Sequence, residues 1–535
     1  MEDPNKPLVI YVPGLYGSKL VPLEGGRKRK WNPPVSGIVS ALHGKPGHKD
    51  LALPVSWDTN EDGDYVQDED DIYAYDCVKG VQGKMLTFLE GLDQNGLIEL
   101  HKVVWDWRRT FEETEKLVAE EIASICKEDD RKATLITHGC GAMITWPTIS
   151  SNPEWFSTWV NAAGWTLYGS TKHLKELNLG LTHELLQVIA KKPILKALSE
   201  EAIYSFAGLY SFLPVRGEAV LEGQSETGLV KSDGTFCSFS DIDLHNVFTW
   251  EQYSLGIFAW KKEEVTLEEK AHIQYCLDAA KRFRTKHFVR SGNRDPSDPS
   301  YLDKDASAYE HLKIVCYGND QIATHNAFEV NKDEKVISVA KSKVTSAGDK
   351  SLPTGSWQTI PGGLEREIIE SEKRSTHMSM INDKKLRYVV MDALFVEDSG
   401  SRTQCQQILK EMEDETDQAK LVAAIFLIFS FILGYGGLKL MIDVLGLLYP
   451  AYMTLQYDPV VAPQDAVQWM TYWLVYSSLN MIEGLFPIVF MHIPYYFSAK
   501  MGIMIWLCHP DTMGAKVIFN QLLRPMIDKE SNKNA

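Results

Sequence analysis

Along the front three-quarters of the chain, short apolar runs alternate with segments whose apolar positions recur every three or four residues. Pro7–Val12 is a β-rich apolar run that stops at Pro13-Gly14, and it predicts a strand meeting a loop. Thr110-Phe-Glu-Glu113 fits a capping box. The helix it opens places Leu117, Val118, Glu121, Ile122 and Ile125 at helical spacing, with the apolar members expected on one face. Ala133–Thr137 predicts a second buried strand, followed by His138-Gly139-Cys140-Gly141 and a helix from Ala142. Trp159–Ala163 and Leu312–Cys316 predict further strands, and Ser291–Asp305, rich in Asp, Ser, Pro and Gly, predicts an exposed loop. Strands alternating with helices imply an α/β fold: a doubly wound parallel sheet covered on both faces.

Behind Glu397 the pattern changes. Ser399-Gly-Ser-Arg402 has the composition of a linker and Lys410–Asp417 is dense in acid, so residues 398–418 are expected to separate a front domain, 1–397, from a back domain, 419–535. Leu421–Leu438 is eighteen residues without a charge, and the apolar run resumes after Lys439 and Asp443 through Tyr457. A second apolar block, Ala466–Pro510, is broken by Glu483 and Lys500 and interrupted by Pro487 and Pro494. A helix crossing the hydrocarbon needs about 20 apolar residues, so each block is barely enough for two legs. Short paired legs predict all-α membrane hairpins. Trp469, Tyr472, Trp473, Tyr476, Tyr495, Tyr496 and Trp506 suit the headgroup boundary. Met513–Ile527 is weakly amphipathic and reads equally as a helix lying flat on the membrane or as an ordinary surface helix.

Charge and cysteine usage narrow the partners. From Ala419 to Ala535 seven Lys/Arg cancel seven Asp/Glu, so the net charge of −17 resides in residues 1–418. An acidic front domain is a poor binder of polyanions, which excludes nucleic acid as an expected partner. The eight cysteines, Cys77, Cys126, Cys140, Cys237, Cys276, Cys316, Cys405 and Cys508, form no CxxC pair and no set at metal-ligand spacing. Free thiols are expected, with no metal and no cofactor. The opening MEDPNKPLVIYVPG has neither a basic n-region nor a long apolar h-region, so the front domain is expected in the cytosol.

Leu447-Leu-Tyr-Pro-Ala-Tyr452, Gln468-Trp-Met-Thr-Tyr-Trp473, Pro494-Tyr-Tyr496 followed by Lys500, Ile505-Trp506 and Leu523-Arg-Pro525 resemble the receptor-expression-enhancing and Yop-type family, over about Gln404 to Ile527. That resemblance implies hairpins that shape tubular endoplasmic reticulum, with both termini cytosolic and homo-oligomers formed through the hairpins.

In the front domain, Ala133–Ala142 has the strand–turn–helix setting of a nucleophile elbow. An active serine elbow reads G-x-S-x-G; here Thr137-His138-Gly139-Cys140-Gly141 puts Gly139 in the nucleophile slot. Three further segments join it. Val12-Pro-Gly-Leu-Tyr-Gly-Ser18, Val104-Trp-Asp-Trp-Arg108 and Gly348-Asp-Lys-Ser-Leu-Pro353 resemble the lecithin:cholesterol acyltransferase family, with Ser375-Thr-His377 about where that family has its histidine. Gly164–Lys172 and Ser205–Pro214 fit it loosely. The match spans about residues 7–395, in order but degraded. The resemblance implies an α/β-hydrolase fold, an oxyanion loop at Leu15 with Cys140 as the second backbone donor, and a residual Asp349–His377 pair.

A glycine has no side chain to acylate, and it tolerates the strained elbow backbone easily. Cys140 lies one residue late, and a shifted elbow would place bulky His138 where a small residue is wanted. A structural buried thiol is therefore expected at Cys140. Trp105 and Trp107 are expected to pack in the core. The combined expectation is an endoplasmic-reticulum membrane-shaping protein with a catalytically degenerate lipase- or acyltransferase-like domain that binds a phospholipid, another acyl lipid or a protein partner in its cleft. The rival readings are an active phospholipid acyl hydrolase or O-acyltransferase, and a trafficking adaptor for membrane proteins.

Overall fold

Five consecutive apolar residues, Leu8–Val12, form strand β1, and every one is buried, as a strand covered on both faces requires. In the computed structural model β1 pairs in parallel with β2 (Glu99–Lys102) on one side and with β3 (Ala133–His138) on the other. The parallel ladder continues through β4 (Phe156–Ala162), β5 (Lys313–Gly318) and β6 (Glu367–Glu370), giving a six-stranded sheet of order β6-β5-β4-β3-β1-β2. The expected strands are present. The two edge strands, Glu-Leu-His-Lys and Glu-Ile-Ile-Glu, are short and polar, and neither stands out as a hydrophobic run.

The chain forms two compact units, Met1–Leu409 and Lys410–Ala535. The structure describes residues 6–22, 51–55, 57–59, 65–67, 72–127, 129–165, 169–182, 196–213, 228–231, 237, 242–288, 301–331, 336–337, 344–352, 356–372, 375–396 and 398–409 of the first, and 410–413, 442–444, 446–451, 453–454, 463–486, 496–509 and 512–525 of the second. The uncharged run Leu421–Leu438, most of the loop Ser291–Asp305 and the proline-interrupted 487–495 lie outside the described residues.

Helix α1 (Phe111–Lys127) opens with the capping box: the Glu113 amide donates to Thr110 Oγ1 at 3.2 Å, and the Thr110 amide donates to Glu113 Oε2 at 3.2 Å. Its buried stripe runs Phe111, Glu115, Val118, Ile122, Cys126. Leu117, expected on that face, is exposed, because one residue along a helix turns about 100° away from Val118. Trp107, Trp146, Trp159 and Trp165 are fully buried, and the last three meet edge-on or tilted at 5.8–6.0 Å as one aromatic cluster in the core.

The strand order reverses at β1, since the chain leaves it for β2 on one side and reaches β3 on the other. Loops leaving the carboxyl ends of two such strands diverge and open a crevice. The two loops are Pro13–Gly17 after β1 and the turn after His138 that leads into helix α2 (Gly141–Ser151).

Residues 399–413, expected to begin as a linker, are helical. Asp398 Oδ1 accepts the amides of Gly400 and Ser401 at 2.9 and 3.0 Å, and Cys405 and Leu409 are fully buried. An Asx cap and a buried stripe outweigh the Gly-Ser composition.

In the second unit, α5 (Pro463–Leu485) and α6 (Tyr496–Cys508) enclose a small core of Trp469, Tyr472, Met504 and Leu507, joined by Ala515 of α7 (Gly514–Ile518). Several aromatics expected at the headgroup boundary are thus turned inward. Trp473 Nε1 donates to Thr454 Oγ1 at 3.0 Å and the Tyr476 hydroxyl to the Asp443 carbonyl at 2.8 Å. The start of the amphipathic segment after Met513 packs on both helices, with the Lys516 amide on Gln468 Oε1 at 2.8 Å and Gly514 against Trp506. The outward positions include Met470, Leu474, Met481, Leu485 and Ile505, all exposed. Charges point in: the Lys500 ammonium donates to Asp443 Oδ1 at 2.8 Å, Asn480 Oδ1 at 2.7 Å and Glu483 Oε2 at 2.8 Å. Among the described residues, no helix is long and apolar enough to cross a membrane.

Candidate functional site

β3 ends at His138, and the chain turns into α2 within two residues. That turn needs a residue in the left-handed region, and Gly139 takes it at φ 53°. The backbone is that of an elbow, and its Cα points at the base. A Cβ built on Gly139 would lie 2.7 Å from His377 Nε2, where ordinary contact begins near 3.4 Å.

His377 opens the short helix α4 (His377–Met380) and donates through Nδ1 to Asp349 Oδ2 at 2.8 Å. Asp349 is 2% exposed, and its other oxygen accepts the amides of Ser351 and Leu352 at 2.9 and 2.7 Å. The His377 amide donates to the Asp349 carbonyl at 2.9 Å, so pair and backbone are locked together. The structure therefore brings Gly139, Asp349 and His377 to one point at the carboxyl ends of the strands. The imidazole occupies the space that a side chain on residue 139 would fill.

Leu15 and Cys140 meet at the same place. The turn Pro13–Gly17 closes with the Gly17 amide on the Gly14 carbonyl at 2.9 Å. A side chain on Gly141 would collide with the Pro13 and Val12 carbonyls at 2.7 and 2.9 Å, so the loop and the elbow touch backbone to backbone. Cys140 is buried at 4% exposure. Burial pushes its thiol far above the usual range, against a weaker opposing pull from the backbone of Leu15 and of Cys140 itself.

Three supports were less legible in the sequence. His138 is fully enclosed; burial and then the neighbouring His377 push its pKa down to about 3, so it is neutral at physiological pH. Its Nε2–H donates to the His377 carbonyl at 3.1 Å, tying the elbow to the base. Gln82, also buried, donates to the Gly17 carbonyl at 2.8 Å. Trp105 and Trp107 pack in the core as expected, and their indole N–H groups donate to the Pro13 and Ser18 carbonyls at 2.8 and 3.2 Å. Asp106 pairs with Arg108, whose guanidinium also donates to the Leu51 carbonyl at 2.9 Å. A Trp-Asp-Trp-Arg string announces aromatics and an ion pair, but only the fold shows that they brace the Pro13–Ser18 loop. Among the described residues no group of His, Cys, Asp or Glu side chains converges as a metal site.

A doubly wound parallel sheet with an Asp–His pair and a left-handed elbow at its carboxyl edge makes the first unit an α/β-hydrolase-type domain, with Gly139 at the turn of that elbow. The second unit carries the family relationship. Residues 450–526 match the TB2/DP1, HVA22 family. Protein YOP1 of Mycosarcoma maydis is 34% identical over 123 residues, 22% of this chain and 70% of that protein. Protein yop-1 of Neurospora crassa is 34% identical over 125 residues, 23% of this chain and 73% of that protein. Receptor expression-enhancing protein 2 of Homo sapiens is 30% identical over 95 residues, 18% and 38% of the two chains. Through its second unit, the chain belongs to the TB2/DP1, HVA22 family. Among solved structures, the Tle4-Tli4 complex gives a TM-score of 0.43 at 13% identity, covering 76% of this chain and 99% of that one. The lipase BlEst2 of Bacillus licheniformis gives 0.29 at 11% identity, covering 74% and 94%. The fold assignment rests on the sheet and its loops, not on these distant likenesses.

Proposed function

We propose that this chain is an endoplasmic-reticulum membrane protein whose back domain shapes the bilayer and whose front domain is a cytosolic, catalytically silent lipase-like module that binds lipid. The observation that carries the silence is the 2.7 Å between the Cβ position of Gly139 and His377 Nε2. Covalent catalysis needs an attacking oxygen or sulfur between elbow and base. Here the base rests against the glycine, and the neighbouring thiol is buried and protonated. Losing the nucleophile of a comparable triad removes about six decades of rate.

Membrane shaping is supported by family membership and by the second unit's arrangement, with apolar side chains outward and Lys500, Glu483 and Asp443 joined inward. A hairpin that takes more area in one leaflet than in the other acts as a wedge. The test of silence is a fluorophosphonate probe on the full chain in detergent. No covalent labelling is expected. Labelling that Cys140→Ala abolishes would make the protein a thiol-dependent acyl enzyme, and labelling unaffected by that change would place the nucleophile elsewhere.

A further inference from the structure

Beside the elbow lies a buried anion that triad chemistry does not use. Glu176 sits on α3 (Thr171–Leu179), whose N-cap Ser170 accepts the Lys172 amide at 3.3 Å. It is 5% exposed. Its Oε2 accepts from the Tyr16 hydroxyl at 3.2 Å and from His173 Nδ1 at 2.9 Å. Its Oε1 is enclosed and has no hydrogen-bond partner. The Lys172 ammonium stands 4.0 Å away, beyond hydrogen-bond reach, and turns toward Ser351 Oγ at 3.5 Å.

The place of this carboxylate in the fold is informative. Tyr16 directly follows Leu15 and holds φ 62°, a region few tyrosines visit. Its ring meets Trp107 edge-on at 4.9 Å, and its hydroxyl is held by Glu176. Glu176 therefore grips the oxyanion loop from α3. Burial alone would raise the Glu176 carboxyl. The charge and hydrogen bond of His173, with Lys172 and Tyr16, outweigh burial and keep it an anion. A desolvated carboxylate oxygen without a donor is costly, and a buried charge persists where something supplies one. Holding Tyr16 and His173 uses Oε2 alone, so the loop contact does not account for the free oxygen.

We propose that Glu176 Oε1 is the recognition point for a lipid head group that donates hydrogen bonds, a glycerol hydroxyl or a primary ammonium, received beside the Asp349–His377 pair. The inference rests on the lipid-binding reading above and names the head-group chemistry that the site selects. No bond is made or broken; the head group supplies the donor that Oε1 lacks.

The test uses the full chain in detergent micelles and four short-chain probes: monooctanoylglycerol and dioctanoylphosphatidylethanolamine, which carry donors, and methyl octanoate and dioctanoylphosphatidylcholine, which do not. Wild type is expected to bind the donor-bearing member of each pair at least tenfold more tightly. The pair that shows the larger ratio identifies hydroxyl or ammonium as the source. Glu176→Gln should erase that preference. Equal wild-type binding within both pairs would overturn the inference, because solvent alone would then satisfy Oε1, yet lipid binding would stand. A preference that survives Glu176→Gln would overturn it as well. Failure of every probe to bind would sink the lipid-binding reading together with the inference. The wild-type ratios decide the matter even if the variant does not fold.

Discussion

Gly139 is held twice, once by its dihedral and once by its neighbour. Any side chain there must adopt φ 53° and also displace His377 Nε2, which Asp349 and the His377 backbone hold in place. Gly139→Ala is expected to destabilise the full chain by about 1–3 kcal/mol, read from chemical denaturation of the first unit's tryptophan signal. Gly139→Ser is expected to gain no fluorophosphonate labelling, because the imidazole must first retreat; strong labelling would show that the base is freer than its bonds imply. His138 gives a pH signature. Its folded pKa, pushed down to about 3, lies below the ordinary 6.5, so between those values the unfolded chain binds a proton that the folded chain does not. Stability therefore falls as pH is lowered from about 6.5, by up to ~1.4 kcal/mol per pH unit from this group. Denaturation midpoints at pH 7 and pH 5 should differ less in His138→Asn than in wild type, and equal differences would argue that His138 is solvated.

At the scale of elements, charges that interrupt an apolar run become legible only when helices are brought together. Glu483 and Lys500 read as breaks in the block Ala466–Pro510, and Asp443 as a break before it. In the structure the Lys500 ammonium joins all three segments, with both carboxylates and Asn480 as acceptors. Removing one partner of a buried pair leaves an uncompensated charge, at about 3–5 kcal/mol. Lys500→Met should broaden or aggregate the protein in size-exclusion chromatography, and adding Asp443→Asn and Glu483→Gln should restore a single peak. If Lys500→Met behaves as wild type, the cluster is water-exposed in the membrane protein. The capping box at Thr110 was fully readable because it is local, whereas the helix over 399–413 was hidden by its Gly-Ser composition, and the burial of Cys405 and Leu409 that favours it is set by the fold.

For the molecule as a whole, two outcomes follow from the proposed arrangement. Protease added outside sealed microsomes should remove the front domain, and its protection would overturn the cytosolic placement. Residues 404–535 reconstituted alone should narrow liposomes into tubules or small vesicles, with unchanged vesicle size at high protein density counting against a wedge.

What the sequence alone determined here is whatever depends on neighbours in the chain. That covers the buried strands at Pro7–Val12 and Ala133–Thr137, the capped helix after Thr110, the glycine in the elbow, and the apolar blocks with their family motifs. Period, capping and composition act over a few residues, so they can be read in order. Tertiary structure alone decided what depends on convergence: that Asp349 and His377 pair, that the imidazole rests against Gly139, that the Cys140 thiol is enclosed, and that Glu176 holds Tyr16 from 160 residues away. The physical reason is one of distance. Burial and electrostatics are set by groups far apart in the chain, and the crevice where they meet exists only because the sheet reverses its order at β1.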